Sequence, residues 1–243
     1  VLYIGLLGVL LAACTNDTFN QESEEGTGYL HFTLGNVDMK FSAMTREETS
    51  LLPDELIPPV SDFMVDIQKD GISIEGFPKL YSDVTGEIEL AAGSYTVKAD
   101  YGENEQIQDT PYFSGSSTVQ IYPGKPTEAT INASLANAML VPSVSESLQN
   151  HYSAWTLTIK SGDSSIKLAD NENADSYLFA QAGQPVNAVF EGTNILGHES
   201  LHEWTVISSA AAQTKYVIQC DPDLSIFSNI QLTATATHTY TEE

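Results

Sequence analysis

The chain has 243 residues, with nine Lys plus Arg against 33 Asp plus Glu and a formal net charge of -24. A surface this acidic repels nucleic acid and anionic lipid, which excludes DNA and RNA as partners. The length allows one large β domain or two of ordinary size, with enough chain to bury one or two sizeable cores.

The apolar run Val1–Leu10 ends in Leu11-Ala12-Ala13-Cys14. It is too short to span a bilayer as a helix, which takes roughly 20 residues. It has the length of a signal-peptide h-region, with small residues where a signal peptidase cuts. A cysteine directly after Leu-Ala-Ala looks like the bacterial lipobox. Cys14 is therefore expected to carry lipid and to become the first residue of the mature protein. Two or more acyl chains give stable anchoring, where one gives only marginal binding. The competing reading is a buried N-terminal strand or helix that happens to end in cysteine. A signal needs a positive n-region, and none precedes Val1, so the natural chain is expected to start further upstream. With Cys14 acylated, Cys220 is left alone and no intramolecular disulfide forms. Alternation in Tyr216-Val217-Ile218-Gln219-Cys220 puts Cys220 on the face of Ile218, as a small core residue.

After Cys14 the chain is polar and acidic, with Asp17, Glu22, Glu24 and Glu25 and only Phe19 apolar. Such a segment buries too little to order itself, and residues 14–27 read as a tether. Tyr29–Leu34 alternates as a first strand closed by Gly35-Asn36. Residues 36–61 lack steady periodicity and read as a long, partly extended connection. Strands then follow closely at Phe63–Gln68, Ile72–Glu75, Gly86–Leu90, Ser94–Asp100, Ser117–Tyr122 and Thr127–Ser134. Turn residues punctuate the gaps. A second series runs from Asn137: strands Met139–Val144, Trp155–Lys160, Tyr177–Ala180, Val186–Glu191, Trp204–Ile207, Lys215–Cys220 and Ile230–Tyr240. Between its first two strands, Ser145–His151 predicts one helical turn with Ser145 as N-cap and Leu148 inward. Short strands at this spacing indicate an all-β chain of two tandem β-sandwich domains. The expected bounds are 1–13 (signal peptide), 14–27 (tether), 28–136 and 137–243. The two series also echo each other. Met64–Gly71 resembles Leu157–Gly162, and Tyr95–Ala99 resembles Tyr216–Cys220.

Residues 86–134 carry a more specific pattern. Leu90-Ala91-Ala92-Gly93-Ser94-Tyr95-Thr96-Val97-Lys98-Ala99, then Tyr101-Gly102, then Asp109-Thr110-Pro111-Tyr112-Phe113-Ser114-Gly115, resembles a Bacteroidetes surface lipoprotein family of unknown function. Its members are similar to the fimbrillins, the lipoprotein subunits of type V pili. The resemblance implies a pair of transthyretin-like sandwiches, lipid-anchored at the outer membrane and exposed at the cell surface. It implies a structural or adhesive role, with other pilin-like subunits or a surface glycan or protein as partner. In fimbrillins an arginine-specific protease cuts after the first strand, and a strand from the next subunit fills the groove that opens. Met44-Thr45-Arg46-Glu47 stands at the matching place, and Arg46 is the only arginine in the chain. The bland alternative is a solvent-exposed loop charge. The alternating run Ile230–Thr237 is either a donor strand or, the reading preferred here, the last strand of its own sandwich.

Enzymatic motifs are few. His198-Glu199-Ser200-Leu201-His202 fits H-E-x-x-H, in which two histidines on one helix face hold zinc and the glutamate activates water. Gly197 before it and the β-branched Thr205-Val206-Ile207 after it argue against a helix. The expectation is no catalytic site and no cofactor, with a zinc peptidase as the competing class. Asp170–Asp175 lacks the glycine and terminal glutamate of a calcium loop. Tyr101, Tyr112, Phe113 and Tyr122 form a candidate aromatic platform for a glycan, against the usual role of such residues in core or rim.

Overall fold

The structure, a computed structural model, describes residues 26–35, 40–43, 50–169, 177–223 and 229–239. Alternation of apolar and polar residues builds most of it as strand. In chain order these are β1 (Thr27–Leu34), β2 (Lys40–Ala43), β3 (Ser50–Leu51), β4 (Met64–Lys69), β5 (Ile72–Ser73), β6 (Lys79–Leu80), β7 (Ile88–Ala91), β8 (Gly93–Tyr101), β9 (Ile107–Gln108) and β10 (Phe113–Ile121). They continue as β11 (Pro126–Ile131), β12 (Ser134–Leu135), β13 (Asn137–Val144), β14 (Tyr152–Ser161), β15 (Ser164–Ala169), β16 (Leu178–Gln181), β17 (Val186–Asn194), β18 (Glu199–Ile207), β19 (Thr214–Asp223) and β20 (Asn229–Thr239). The chain is all-β, as its sequence predicts. The one α-helix among the described residues, α1 (Glu146–His151), is capped as expected. The Ser145 hydroxyl accepts from the Leu148 amide at 3.2 Å, and Leu148 is buried.

Two sheets face each other across each of two cores. In the first, the order β11-β1-β7 opposes β12-β10-β8-β4-β5, with β6 also on β4. Leu30, Phe32, Leu90 and Ile131 meet Val65, Ile67, Val97, Phe113 and Ile121 between them. In the second, β15-β14-β17-β18 opposes the middle of β3-β2-β20-β19-β13-β16-β9. There Leu140, Leu178, Ile218 and Cys220 meet Leu157, Ile159, Ala188 and Phe190.

The topology is duplicated. β1 pairs antiparallel with β7 and parallel with β11, as β13 pairs antiparallel with β16 and parallel with β19. The opposing sheet runs β5-β4-β8-β10 in one unit and β15-β14-β17-β18 in the other. The echo between Met64–Gly71 and Leu157–Gly162 therefore marks equivalent hairpins. At the first of these, Asp70 (φ 53) and Gly71 (φ 80) take the left-handed conformations that a tight two-residue hairpin turn needs. The echo between Tyr95–Ala99 and Tyr216–Cys220 does not mark equivalent strands. β8 lies between two antiparallel neighbours and corresponds to β17, while Tyr216–Cys220 lies in β19.

The two units are joined by more than the chain. In β13, Asn137, Ala138, Met139 and Leu140 are all buried, because Leu140 faces the second core while Met139 faces the first. A continuous apolar run is what burial on both faces demands. From the first unit, the segment between β8 and β10 reaches across and lays β9 on the edge of β16, with Ile107 in the second core. Gln106 holds it there: its backbone carbonyl accepts from the Gln181 amide at 3.0 Å and its side-chain oxygen from the Asp163 amide at 2.8 Å. Truncating Ile107 therefore tests this clasp. Ile107→Ala is expected to cost about 2 kcal/mol or more in a urea melt, and the loss should register in the fluorescence of Trp155, which lies in the second core.

Candidate functional site

The first strand is the element around which a site forms. Its burial alternates without exception: Tyr29, His31 and Thr33 face solvent while Leu30, Phe32 and Leu34 enter the first core. Neither neighbour is local. Six residues of β1, Tyr29 to Leu34, pair with Pro126 to Ile131, and four, Thr27 to Leu30, pair with Ala91 to Ile88. The ends are pinned by Tyr29 N–H to the Lys125 carbonyl at 3.1 Å, Gly35 N–H to the Ile131 carbonyl at 2.8 Å, and Ala92 N–H to the Gly26 carbonyl at 2.8 Å. On the solvent face, Thr27 donates to Glu89 at 2.7 Å and His31 meets Glu128 at 2.9 Å. Gly28 passes so close to the Tyr122 carbonyl and Ile121 that a side chain there has no room.

Removal of β1 would do two things at once. It would uncover three apolar positions, each worth about 1.5–3 kcal/mol when buried. It would also leave β7 and β11 facing an empty lane with unpaired backbone groups, a template for another strand. A replacement needs extended backbone and an apolar residue at every second position, and little else.

The expected processing residue, Arg46, lies outside the described residues, between β2 and β3, which pair with each other antiparallel. Cys14 also lies outside the described residues, as does the acidic stretch Asp170–Asp175. β2 continues onto β20 through Ser42 and Ala43. The segment 36–61, expected as a long, partly extended connection, thus contains two strands, of which β2 pairs with β20. β20 itself pairs with β19 from Asn229 to Thr239 as the last strand of its own sheet.

The H-E-x-x-H motif falls on extended chain. His198 precedes β18 and His202 lies within it, opposite Phe190. Four residues of strand separate them by roughly 13 Å, where zinc ligation needs both nitrogens within about 2.1 Å of one ion. The His202 ring instead stacks on Trp204 at 5.2 Å. The aromatic platform is likewise dispersed. Phe113 is fully buried, and Phe63, Tyr101 and Phe113 pack on one another within the first core. Tyr112 donates to Asp100 at 2.9 Å, and burial pushes its hydroxyl pKa up, with Asp100 adding to the rise against a hydrogen bond from Ser114. Tyr122 sits apart, under the Lys125 ammonium. Sequence reasoning missed the clasp at Gln106 and Ile107; the signal was one apolar residue in an otherwise polar Glu103–Asp109.

Residues 26–243 match the model of a family described as a domain of unknown function, DUF4493. The chain belongs to this family. The resemblance to a family of unknown function, read from residues 86–134, is borne out at that level. A comparison with curated proteins gives no match. Among solved structures the chain is similar to a candidate cell adhesion protein from Bacteroides eggerthii DSM 20697, with TM-score 0.49 and 11% identity over 88% of this chain and 96% of that one. It is similar to a candidate adhesin from Bacteroides ovatus, with TM-score 0.44 and 10% identity over 88% and 96%. A fimbrial assembly protein from Parabacteroides distasonis ATCC 8503 gives TM-score 0.44 and 10% identity over 87% and 98%. Identity this low assigns no function. Among the described residues, no helix is long and apolar enough to cross a membrane.

Cys220 is fully buried in the second core, as alternation predicts. Burial pushes its thiol up to about 12, and the charge of Asp221 adds to the rise. The neutral thiol is thus the form that the fold favours. Its contribution is complete below the unfolded pKa of 9.0 and is lost as pH rises from there toward 12. Between those limits the wild-type chain should lose about 1.4 kcal/mol per pH unit from this group. Urea melts of wild type and Cys220→Ala at pH 8 and pH 10 check this: the variant should show the smaller fall.

Proposed function

We propose that this chain is a lipid-anchored surface subunit of fimbrillin type, structural or adhesive, and not an enzyme. Acylation at Cys14 would hold it at the outer membrane, with residues 1–13 as the discarded signal and 14–27 as the tether. Two sandwich domains, 28–136 and 137–243, follow. A cut after Arg46 would detach β1 from the rest of the chain, and a strand of the next subunit would take its lane.

The observation that carries this reading is the place of β1. It is the central strand of its sheet and enters the first core as one alternating strand, and the segment before Arg46 has besides it, among the described residues, only the short β2 on β20 and β3. An exchangeable element must be separable from the remaining core, and β4, β8 and β10 pair with one another without it. Strand addition of this kind draws its affinity from main-chain hydrogen bonds and its register from alternate side-chain pockets.

Brief treatment of the full chain with an arginine-specific protease tests the reading. A single cut should release the segment carrying β1, and the product should then form oligomers that persist in mild detergent. Arg46→Ala should abolish both steps. A wild-type chain that stays intact, or a cut chain that stays monomeric, overturns the polymerising role.

A further inference from the structure

The two units share one topology but do not share their edges. In the second unit both outer edges of the three-stranded core of the sheet are covered: β16 by β9 and β19 by β20. In the first unit the equivalent edges, on β7 and β11, have no strand partner among the described residues. The strand that covers β16 comes from the unit before it, out of the segment joining β8 to β10. The equivalent segment of the second unit joins β17 to β18 and pairs with no other sheet among the described residues.

That segment is nonetheless built for contact. Ile195 and Leu196 are 64% and 77% exposed, and Leu201 beside them is also exposed. The turn that presents them is rigid. The Asn194 side chain accepts from the Leu196 and His198 amides at 3.0 and 2.9 Å, the Ile195 amide donates to the His151 carbonyl at 3.0 Å, and Gly197 takes φ +85. Two large aliphatic side chains held in water on an ordered turn bury nothing in the folded chain. Their equivalent in the first unit is Ile107, which the second core buries.

On the receiving side, β7 pairs with no strand but β1 among the described residues, and the Ala91 carbonyl at its end accepts from the Tyr95 hydroxyl at 2.9 Å. The Ala92–Gly26 hydrogen bond sets the ladder so that Ile88 and Leu90 turn their backbone toward β1 and Glu89 turns its N–H and C=O outward. Next to this edge in the duplicated order stands β5, whose Ile72 is 74% exposed. In the second unit the equivalent pair, β16 and β15, is what β9 lies against.

We propose that copies of this chain associate head to tail, the β17–β18 turn of one copy docking on the β7 edge of the next. The contact repeats between copies what β9 and Ile107 do within one. Knob and edge lie on different units, so the interface is heterologous and open-ended. It is also narrow: the outer face of β1 is polar at Tyr29, His31 and Thr33, where β13 presents Met139 to its neighbouring unit. Copies tethered to one surface raise each other's effective concentration, which suits a contact of this size. The inference extends the subunit reading above but needs no cleavage at Arg46.

Disulfide trapping on the uncut full chain tests it, in a Cys14→Ser background with Cys220 buried. Leu196→Cys mixed with Ala91→Cys should cross-link at least tenfold faster than either variant alone. The chain carrying both should give a ladder of multimers, and Ile195→Asp added to Leu196→Cys should suppress the mixed product tenfold. These positions are exposed, and unchanged thermal melts confirm that the variants fold. Because each copy carries a charge of -24, added salt should speed the cross-link by screening repulsion. Equal rates in all mixtures, or a dominant Leu196→Cys homodimer, overturn the inference. An Arg46-cut chain that polymerises without the mixed cross-link also overturns it, while leaving strand exchange standing. Cross-linked multimers from a chain that resists the protease do the reverse.

Discussion

Parallel pairing of a unit's first strand with a strand close to its end is the constraint on which both sandwiches depend. β1 needs β11 and β13 needs β19, and between them lies most of each unit. Parallel neighbours cannot be joined by a tight turn, so the crossover here is the whole body of the sandwich. The pairing is about as non-local as a unit of this size permits, and such contacts form late, after most of the loop entropy has been spent. The antiparallel ladder β4-β8-β10 has no such requirement, since its strands find each other through nearer neighbours. Topology alone therefore separates an early body from a late strand, and the late strand of the first unit is the one at the N-terminal end of the fold.

Period-two alternation made most of this readable in the sequence. It located β1, β4, β8, β14 and β19 to within a few residues, and the spacing from Ser145 to Leu148 located the helical turn and its cap. What it could not supply was neighbour identity. Alternation states that a strand has a wet face and a dry face and says nothing of which strand lies beside it. That is why Tyr95–Ala99 and Tyr216–Cys220 look alike and yet occupy different lanes. Two of the shortest strands were invisible for a related reason. β6 and β9 have two residues each, and they are strands only because β4 and β16 present edges to them. Likewise β2 depends on β20, nearly 200 residues away, and no local pattern in 36–61 announces that. The candidate site divides along the same line. The strand that fills the lane was legible, and the lane was not. The zinc motif shows the converse: a match in letters that extended backbone turns into two separated side chains.

Charge explains how such a chain keeps its remaining edges from pairing at random. β11 opens with Pro126, which has no N–H to offer, and carries Glu128 in its middle. β18, an edge strand, places Glu199 and Glu203 on its solvent face. The Lys160–Glu203 pair at 3.9 Å is exposed and worth little by itself. The larger effect is collective: a net -24 makes approach of like copies unfavourable unless apolar contact or backbone pairing offsets it. Discrimination follows from that balance, because only a contact offering buried area or a full ladder overcomes the repulsion.

The difference between the two units can then be read as one fold used at two levels of completion. The same sheet is three strands wide in the first unit and seven in the second, and the second reaches that width by borrowing β9, β2 and β3 from the first half of the chain and β20 from its own end. Borrowing runs in one direction, from the first unit to the second. If it had run both ways, β7 and β11 would be covered as β16 and β19 are. Because it does not, the chain keeps one finished sheet, which fixes the units together through Met139, Phe179 and Ile107, and one unfinished sheet whose centre is the N-terminal strand. Bare edges invite aggregation, and β7 and β11 have no strand partner outside their own sheet among the described residues. On the subunit reading proposed above, an incomplete sheet of this kind stays guarded by charge until a matching strand or turn arrives.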